Sequence, residues 1–271
     1  MANDSAPIEG IAGHYTGDSL ALQATLATLL GCALYSAFEL VLLIFVTFHH
    51  YAGLYFWSLL ISTSLGIVPQ SLGLLLKYFD LAPIYLSVTL TTFGWATMVT
   101  GQSVVLYSRL HLVVRNVVVL RSVLTMIVVD AVIIQIPHIV FSYGVIADDS
   151  GSRYMRMYTI WEKLQMTVFF TQEVIISAIF LVQTVRLLTL YPNRSKRRSL
   201  IMYQLLGINA AIILMDISLL VLEYLNIYII QVSLKTFFYT IKLKLEFAVL
   251  SRLVSFVNYE PEQDSAMTVL S

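Results

Sequence analysis

The chain has 271 residues, of which 58% are hydrophobic and only 12% charged, with a mean hydropathy of +0.82. A water-soluble domain carries about 25% charged residues, so this composition excludes an ordinary cytosolic enzyme and indicates an integral membrane protein. Sixteen basic and sixteen acidic residues cancel, so no basic excess points to nucleic acid as a partner. The single cysteine, Cys32, cannot close an intramolecular disulfide and is too little for a thiolate metal site.

Residues 1–19 read as a polar tail. Its first 18 residues contain no Lys or Arg and no early apolar core, so a cleavable signal peptide is not expected. Seven apolar stretches follow, at 20–48, 54–76, 84–107, 117–143, 158–188, 200–224 and 229–257. Each can cross about 30 Å of hydrocarbon as a helix. The runs are continuous rather than alternating, which argues against barrel strands. No repeat or low-complexity linker divides them. Residues 20–257 therefore read as one all-α, polytopic bundle of seven transmembrane helices, followed by a short acidic tail at 258–271.

Basic residues are unequally shared between the two sides. The side of the N-terminal tail holds Lys77, Arg153 and Arg156. The other holds Arg109, Arg115, Arg121, Arg186, Arg194, Lys196, Arg197, Arg198 and Arg252, which makes three against nine. By the positive-inside rule the N-terminus is lumenal or outside and the C-terminus cytosolic, and an endomembrane such as the endoplasmic reticulum is expected. The sequon at Asn3 would face the glycosylation machinery, and that at Asn193 the cytosol.

Ionisable residues within a bilayer are costly and mark function by default. Seven acids fall inside the expected spans (Glu39, Asp130, Glu162, Glu173, Asp216, Glu223 and Glu246) against four lysines, Lys163, Lys235, Lys242 and Lys244. Simple pairing leaves about three acids over, and a neutral carboxyl in an apolar pocket is a proton donor. Asp130, Glu173, Asp216 and Lys242 each lie near the middle of a span, at one level. Asn209, Asp216 and Glu223, spaced by seven, share one face of the sixth helix. Lys235, Lys242 and Glu246 stripe the seventh, with Tyr239 between them. Glu162 and Glu173 share a face of the fifth, beside Gln165 and Gln172. The bland alternative is that these are interhelical ion pairs, with Lys242–Glu246 at i and i+4, and Lys235 facing Glu223 or Glu162, as the best examples.

The remaining signals are weaker. Gly66 with Gly73 and Gly94 with Gly101 recur at heptad spacing and mark close helix contacts. His49, His50 and His138 have no spaced companions, and Asp148-Asp149 is not an aspartate-rich diphosphate motif, so neither a metal nor a cofactor is expected. A receptor reading lacks an acidic-Arg-Tyr triplet, since the sequence reads Tyr107-Ser108-Arg109-Leu110, and it lacks an Asn-Pro pair in the seventh helix. A retinal protein would need an acidic counter-ion on the third or seventh helix for Lys235 or Lys242, and the third helix has no acid. No inverted repeat suggests a transporter.

The segments FHHYAGLYFWSLLIS (48–62), GQSVVLYSRLHLVVRN (101–116), EKLQMTVFFTQEVIIS (162–177) and IKLKLEFAVLSRLV (241–254) resemble a fungal family of seven-helix membrane proteins. The likeness runs from about residue 15 to 257. Some members are similar to the terpene cyclases of fungal meroterpenoid pathways of the ascofuranone and ascochlorin type. The resemblance implies a lipophilic substrate, an epoxidised farnesyl chain on a phenolic head, with a prenyltransferase and an epoxidase as pathway neighbours. It carries no residue role over, so the site rests on depth and facing. Glu173 or Asp216 is the expected general acid, with Asp130 and Glu223 in reserve. Gln172, Asn209, Tyr239, Lys242 and Glu246 are the expected pocket. The alternative is a seven-helix receptor or sensor whose buried charges form a switch.

Overall fold

Long apolar runs with few internal breakers give seven helices in the computed structural model, which describes residues 20–48, 53–114, 116–147, 152–190, 196–225 and 228–258. These are α1 Leu20–Thr47, α2 Leu54–Tyr78, α3 Ile84–Val113, α4 Val117–Ala147, α5 Ser152–Leu190, α6 Lys196–Tyr224 and α7 Tyr228–Asn258. The two tails, both sequons, His49, His50 and Asp148-Asp149 lie outside the described residues. Five of the helices, α1, α2, α4, α5 and α6, are long and apolar enough to cross a membrane. The other two, α3 and α7, are as long, at 30 and 31 residues, but carry the polar side chains that face inward.

The helices form a closed circuit in chain order, with α7 returning to α1. Within it α3 also touches α5 and α7, which makes it the central helix. The packing of α3 on α2 explains the spaced glycines. A Cβ on Gly66 would lie 2.8 Å from Met98 Cα, and one on Gly73 would lie 2.7 Å from the Thr91 amide nitrogen. One on Gly94 would collide with the Gln70 backbone, and one on Gly101 with the Ser62 hydroxyl. All four glycines exist so that two backbones can touch.

Helix α2 is not uniform. Over Ser62–Ile67 it widens to a π turn, and the Val68 N–H bonds to the Thr63 carbonyl. Pro69 follows directly and has no N–H to offer the carbonyl four residues earlier, which accounts for the local unwinding. Buried hydroxyls here satisfy themselves on their own helix: Ser62 Oγ donates to Ser58 O (2.6 Å) and Thr63 Oγ1 to Leu59 O (2.8 Å). At its C-terminus Asp80 takes the left-handed conformation (φ 52°) while the Leu81 N–H reaches back to Leu76 O. That is the turn that closes a helix end and sends the chain into α3.

The burial pattern is inverted relative to a soluble protein. Val46, Val118 and Ile133 are 76%, 71% and 57% exposed, whereas Arg109, Lys242 and Glu246 are fully buried. Apolar side chains outside and charges inside suit a hydrocarbon solvent, not water.

Candidate functional site: a layered polar interior

The inward stripes of α5, α6 and α7 deliver side chains at successive levels. At the middle level Lys242 Nζ lies 2.8 Å from Glu173 Oε2 and also pairs with Asp216 Oδ1. Tyr239 donates its hydroxyl to the other oxygen of Glu173, Oε1, at 3.2 Å, and the ammonium sits 4.3 Å from the Tyr239 ring centroid. One lysine thus clamps carboxyls from two other helices, in a site where none of the three is more than 7% exposed. One ammonium balances one carboxylate; the trio is neutral when a single proton is held between the two acids. Met166, Phe169, Leu219 and Leu220 wall a cavity of about 10 Å³ beside them, room for about one water.

Toward the ends of α3 and α7 away from the N-terminal tail lies a second cluster. Arg109 Nη1 is 2.8 Å from Glu246 Oε2, and Nη2 donates to Asn209 Oδ1 at 2.8 Å. The guanidinium lies 4.2 Å from the Phe180 ring centroid, so four helices meet on it. Leu106, Leu110 and Ile176 seal this end with Phe180. Between the two levels Gln172 donates to Ser103 Oγ at 2.6 Å.

The third level lies on the side of the N-terminal tail. Here Glu162 is within electrostatic reach of Glu223, Lys235 and Lys77, and Gln231 donates to Glu223 Oε2 at 2.5 Å. The Lys235 ammonium lies 5.6 Å from the Trp95 ring centroid. Lys77, Trp95, Glu162 and Lys235 line a cavity of about 50 Å³ together with Gln70, His138, Ser142 and Gln165. Five polar atoms on its lining, Gln70 Oε1, Trp95 Nε1, His138 Nδ1 and both amide atoms of Gln165, bond to no protein group. Left dry, they would cost about 1–3 kcal/mol each, a sum on the scale of a whole protein's stability.

The expected residues divide accordingly. Glu173, Asp216, Tyr239 and Lys242 come together. Asn209 and Glu246 belong to the Arg109 cluster, so Glu246 does not pair with Lys242 one turn away on its own helix. Glu223 lies one heptad from Asp216, about 10 Å along the axis, and its bond is to Gln231. Among the described residues Lys235 makes no ion pair; its neighbours are Trp95, His138 and the acids Glu162 and Glu223. Asp130 does not reach the middle cluster, because α4 packs on α3 and α5 and not on α6 or α7.

Two cations were misplaced by the sequence reading. Helix α3 continues to Val113 and α2 to Tyr78, so Arg109 and Lys77 are not loop residues; they are 0% and 5% exposed. Among the buried side chains of the described residues, five acids (Glu162, Glu173, Asp216, Glu223 and Glu246) face four cations (Lys77, Arg109, Lys235 and Lys242), so the expected surplus of three falls to one. What remains unequal is the local two-to-one ratio at Lys242. A signal for Arg109 was present: Trp95, Gln102 and Arg109 are spaced by seven on α3 and form an inward stripe like that of α6.

No curated protein and no solved structure matches the chain. A family model does, over residues 18–262, nearly the whole length. The chain belongs to the family described as Domain of unknown function (DUF7703).

Proposed function

We propose that this protein is a membrane-embedded terpene cyclase that closes a ring in an epoxidised prenyl chain by acid catalysis. The observation that carries the reading is the pairing of two carboxyls with one lysine in a buried, aromatic-walled layer. One of Glu173 and Asp216 donates a proton to the epoxide oxygen, and the C–O bond breaks to leave a hydroxyl and a tertiary carbocation. A chain alkene closes on that carbon, forming the C–C bond. The carboxylate of the other acid takes a proton from the final cation, so the reaction is an isomerisation. Lys242 holds one carboxyl ionised throughout, and Tyr239, Phe169 and Phe170 offer π faces to the cation. The cavity beside the acids is only about 10 Å³, so binding of a prenyl chain requires the walls around Met166 and Phe169 to open. A farnesyl chain on a phenolic head is the substrate that the resemblance read from the sequence implies.

The same reading places all seven helices across the membrane. The charged Arg109 of α3 turns inward, whereas the helix's exposed Tyr85, Leu86 and Phe93 are apolar or aromatic. Removing Lys77 and Arg109 from the loop count leaves two basic residues against eight, so the N-terminus remains lumenal and the C-terminus cytosolic, in the endoplasmic reticulum or another endomembrane. A second reading, a seven-helix sensor, draws on Arg109, which joins four helices as an ionic lock would.

Microsomes from yeast expressing the protein, fed an epoxyfarnesyl phenol, should form a cyclised isomer of unchanged mass. Glu173→Gln and Asp216→Asn should each abolish it. Turnover that survives both changes would remove these acids from the chemistry, and an inert wild type would favour the sensor.

A further inference from the structure

The cavity beside Trp95 and Gln165 is not used by the proposed chemistry. It occupies the half of the bundle nearest the N-terminal tail: Trp95 and Glu162 lie in the first halves of α3 and α5, and Lys77 in the last turn of α2. Much of its lining is polar. Gln165, Gln70, Trp95 and His138 are at most 6% exposed, yet five of their polar atoms meet no protein partner. Such atoms face water or a ligand when the space beside them allows it. At about 50 Å³ the space is about a third of what an aromatic ring needs and holds about three to five waters. Its lining offers donors and acceptors together, as a water cluster requires.

The two ends of the bundle differ. Below the cavity Trp95 packs edge-on against Phe169, with ring centroids 5.9 Å apart, and the Lys242 layer follows. At the far end the Arg109–Glu246 pair is enclosed by Phe180 and its apolar neighbours.

We propose that this cavity is a hydrated vestibule, open to water from the side of the N-terminal tail and shut toward the other side. Water and small hydrophilic species therefore reach Glu162 and Lys235 from one face only, and the Trp95–Phe169 contact separates them from the Lys242 layer. The inference concerns access rather than turnover and stands apart from the cyclase chemistry; it rests on the seven-span arrangement.

Thiol accessibility tests it. In a Cys32→Ser background, Ser142→Cys places a thiol on the cavity wall, and Ser103→Cys places one beyond the Trp95–Phe169 contact, where Gln172 binds. Sealed vesicles of known orientation, read from protease cleavage of an epitope on the N-terminal tail, are exposed to Ag⁺, an ion of about water size. Blocked thiols are then scored by loss of maleimide labelling after unfolding in SDS. Ag⁺ on the tail side should abolish labelling of the Ser142→Cys protein, and labelling of Ser103→Cys should survive from either side. Full labelling of Ser142→Cys after Ag⁺ would mean a dry cavity. Equal blocking from the opposite side would mean access through the end we consider shut. If Ser142→Cys does not elute as a single species, Thr92→Cys, on the same wall, is judged by the same outcomes. No outcome depends on enzymatic turnover, so an inert protein in the cyclase assay leaves this test intact.

Discussion

Breaking the Arg109–Glu246 pair should be among the most damaging single changes in the protein. Both side chains are fully buried, with 2.8 Å between Nη1 and Oε2. Arg109→Met keeps much of the side chain's length but strands the Glu246 carboxylate. It also removes the bond to Asn209 and the contact with Phe180. Two magnitudes compete. An ordinary interhelical hydrogen bond within a membrane averages about 0.6 kcal/mol. Removing one partner of a buried ion pair costs about 3–5 kcal/mol, because the other charge remains without compensation. The fully buried geometry selects the larger value. The double variant Arg109→Met, Glu246→Met removes both charges and should return to within about 1.5 kcal/mol of the parent, since apolar replacements of a buried pair are tolerated. If Glu246→Met alone also costs about 3–5 kcal/mol, the coupling is about 4.5 kcal/mol or more, above the usual range of about 0.5–3 kcal/mol for residues in contact because each single change strands a buried charge. Equilibrium unfolding in mixed micelles, titrated with SDS and followed by far-UV circular dichroism, measures all three variants. A single variant within about 1 kcal/mol of the parent, or a double variant that loses the sum of the singles, would refute the reasoning.

Two further changes probe packing and environment by the same measurement. Gly94→Ala drives a methyl into the Gln70 backbone and should destabilise by about 1–3 kcal/mol. Gly207→Ala, where a Cβ meets nothing within 4 Å, should gain up to about 1 kcal/mol from helix propensity; equal effects at both sites would contradict the close α2–α3 contact. Lys244 pairs with Glu39 at 2.5 Å on a partly exposed face, 28% and 46% accessible. In water such a pair is worth about 0.2–1 kcal/mol, but a stranded carboxylate facing hydrocarbon costs about 2.5–3.5 kcal/mol at mid-depth. Lys244→Ala should therefore lose about 2 kcal/mol or more in lipid bicelles, and a smaller loss would mean that this face of α1 and α7 is not in the hydrocarbon.

The number and order of the helices were legible in the sequence because a long apolar run has one stable form in lipid, a helix that satisfies its own backbone. The inward stripes were legible for the same reason: Asn209, Asp216 and Glu223 repeat at seven, and only one face of α6 can hold them all away from lipid. The spaced glycines of α2 and α3 likewise announced a close contact before its partners were known. Helix ends carried no comparable signal. Ser108-Arg109 looks like the start of a loop, and the sequence cannot tell a cation at the rim from one whose acid waits on another helix. Pairing across helices depends on rotation and depth, which the chain's local pattern leaves free. Only the packed bundle decides that Glu246 turns to Arg109 and not to Lys242, that Asp130 on peripheral α4 stays out of the central cluster, and that Lys242 alone answers two acids. Composition placed acids within long apolar helices; the tertiary structure determined which of them share a counter-charge, because desolvated charges are settled by their nearest partners in space.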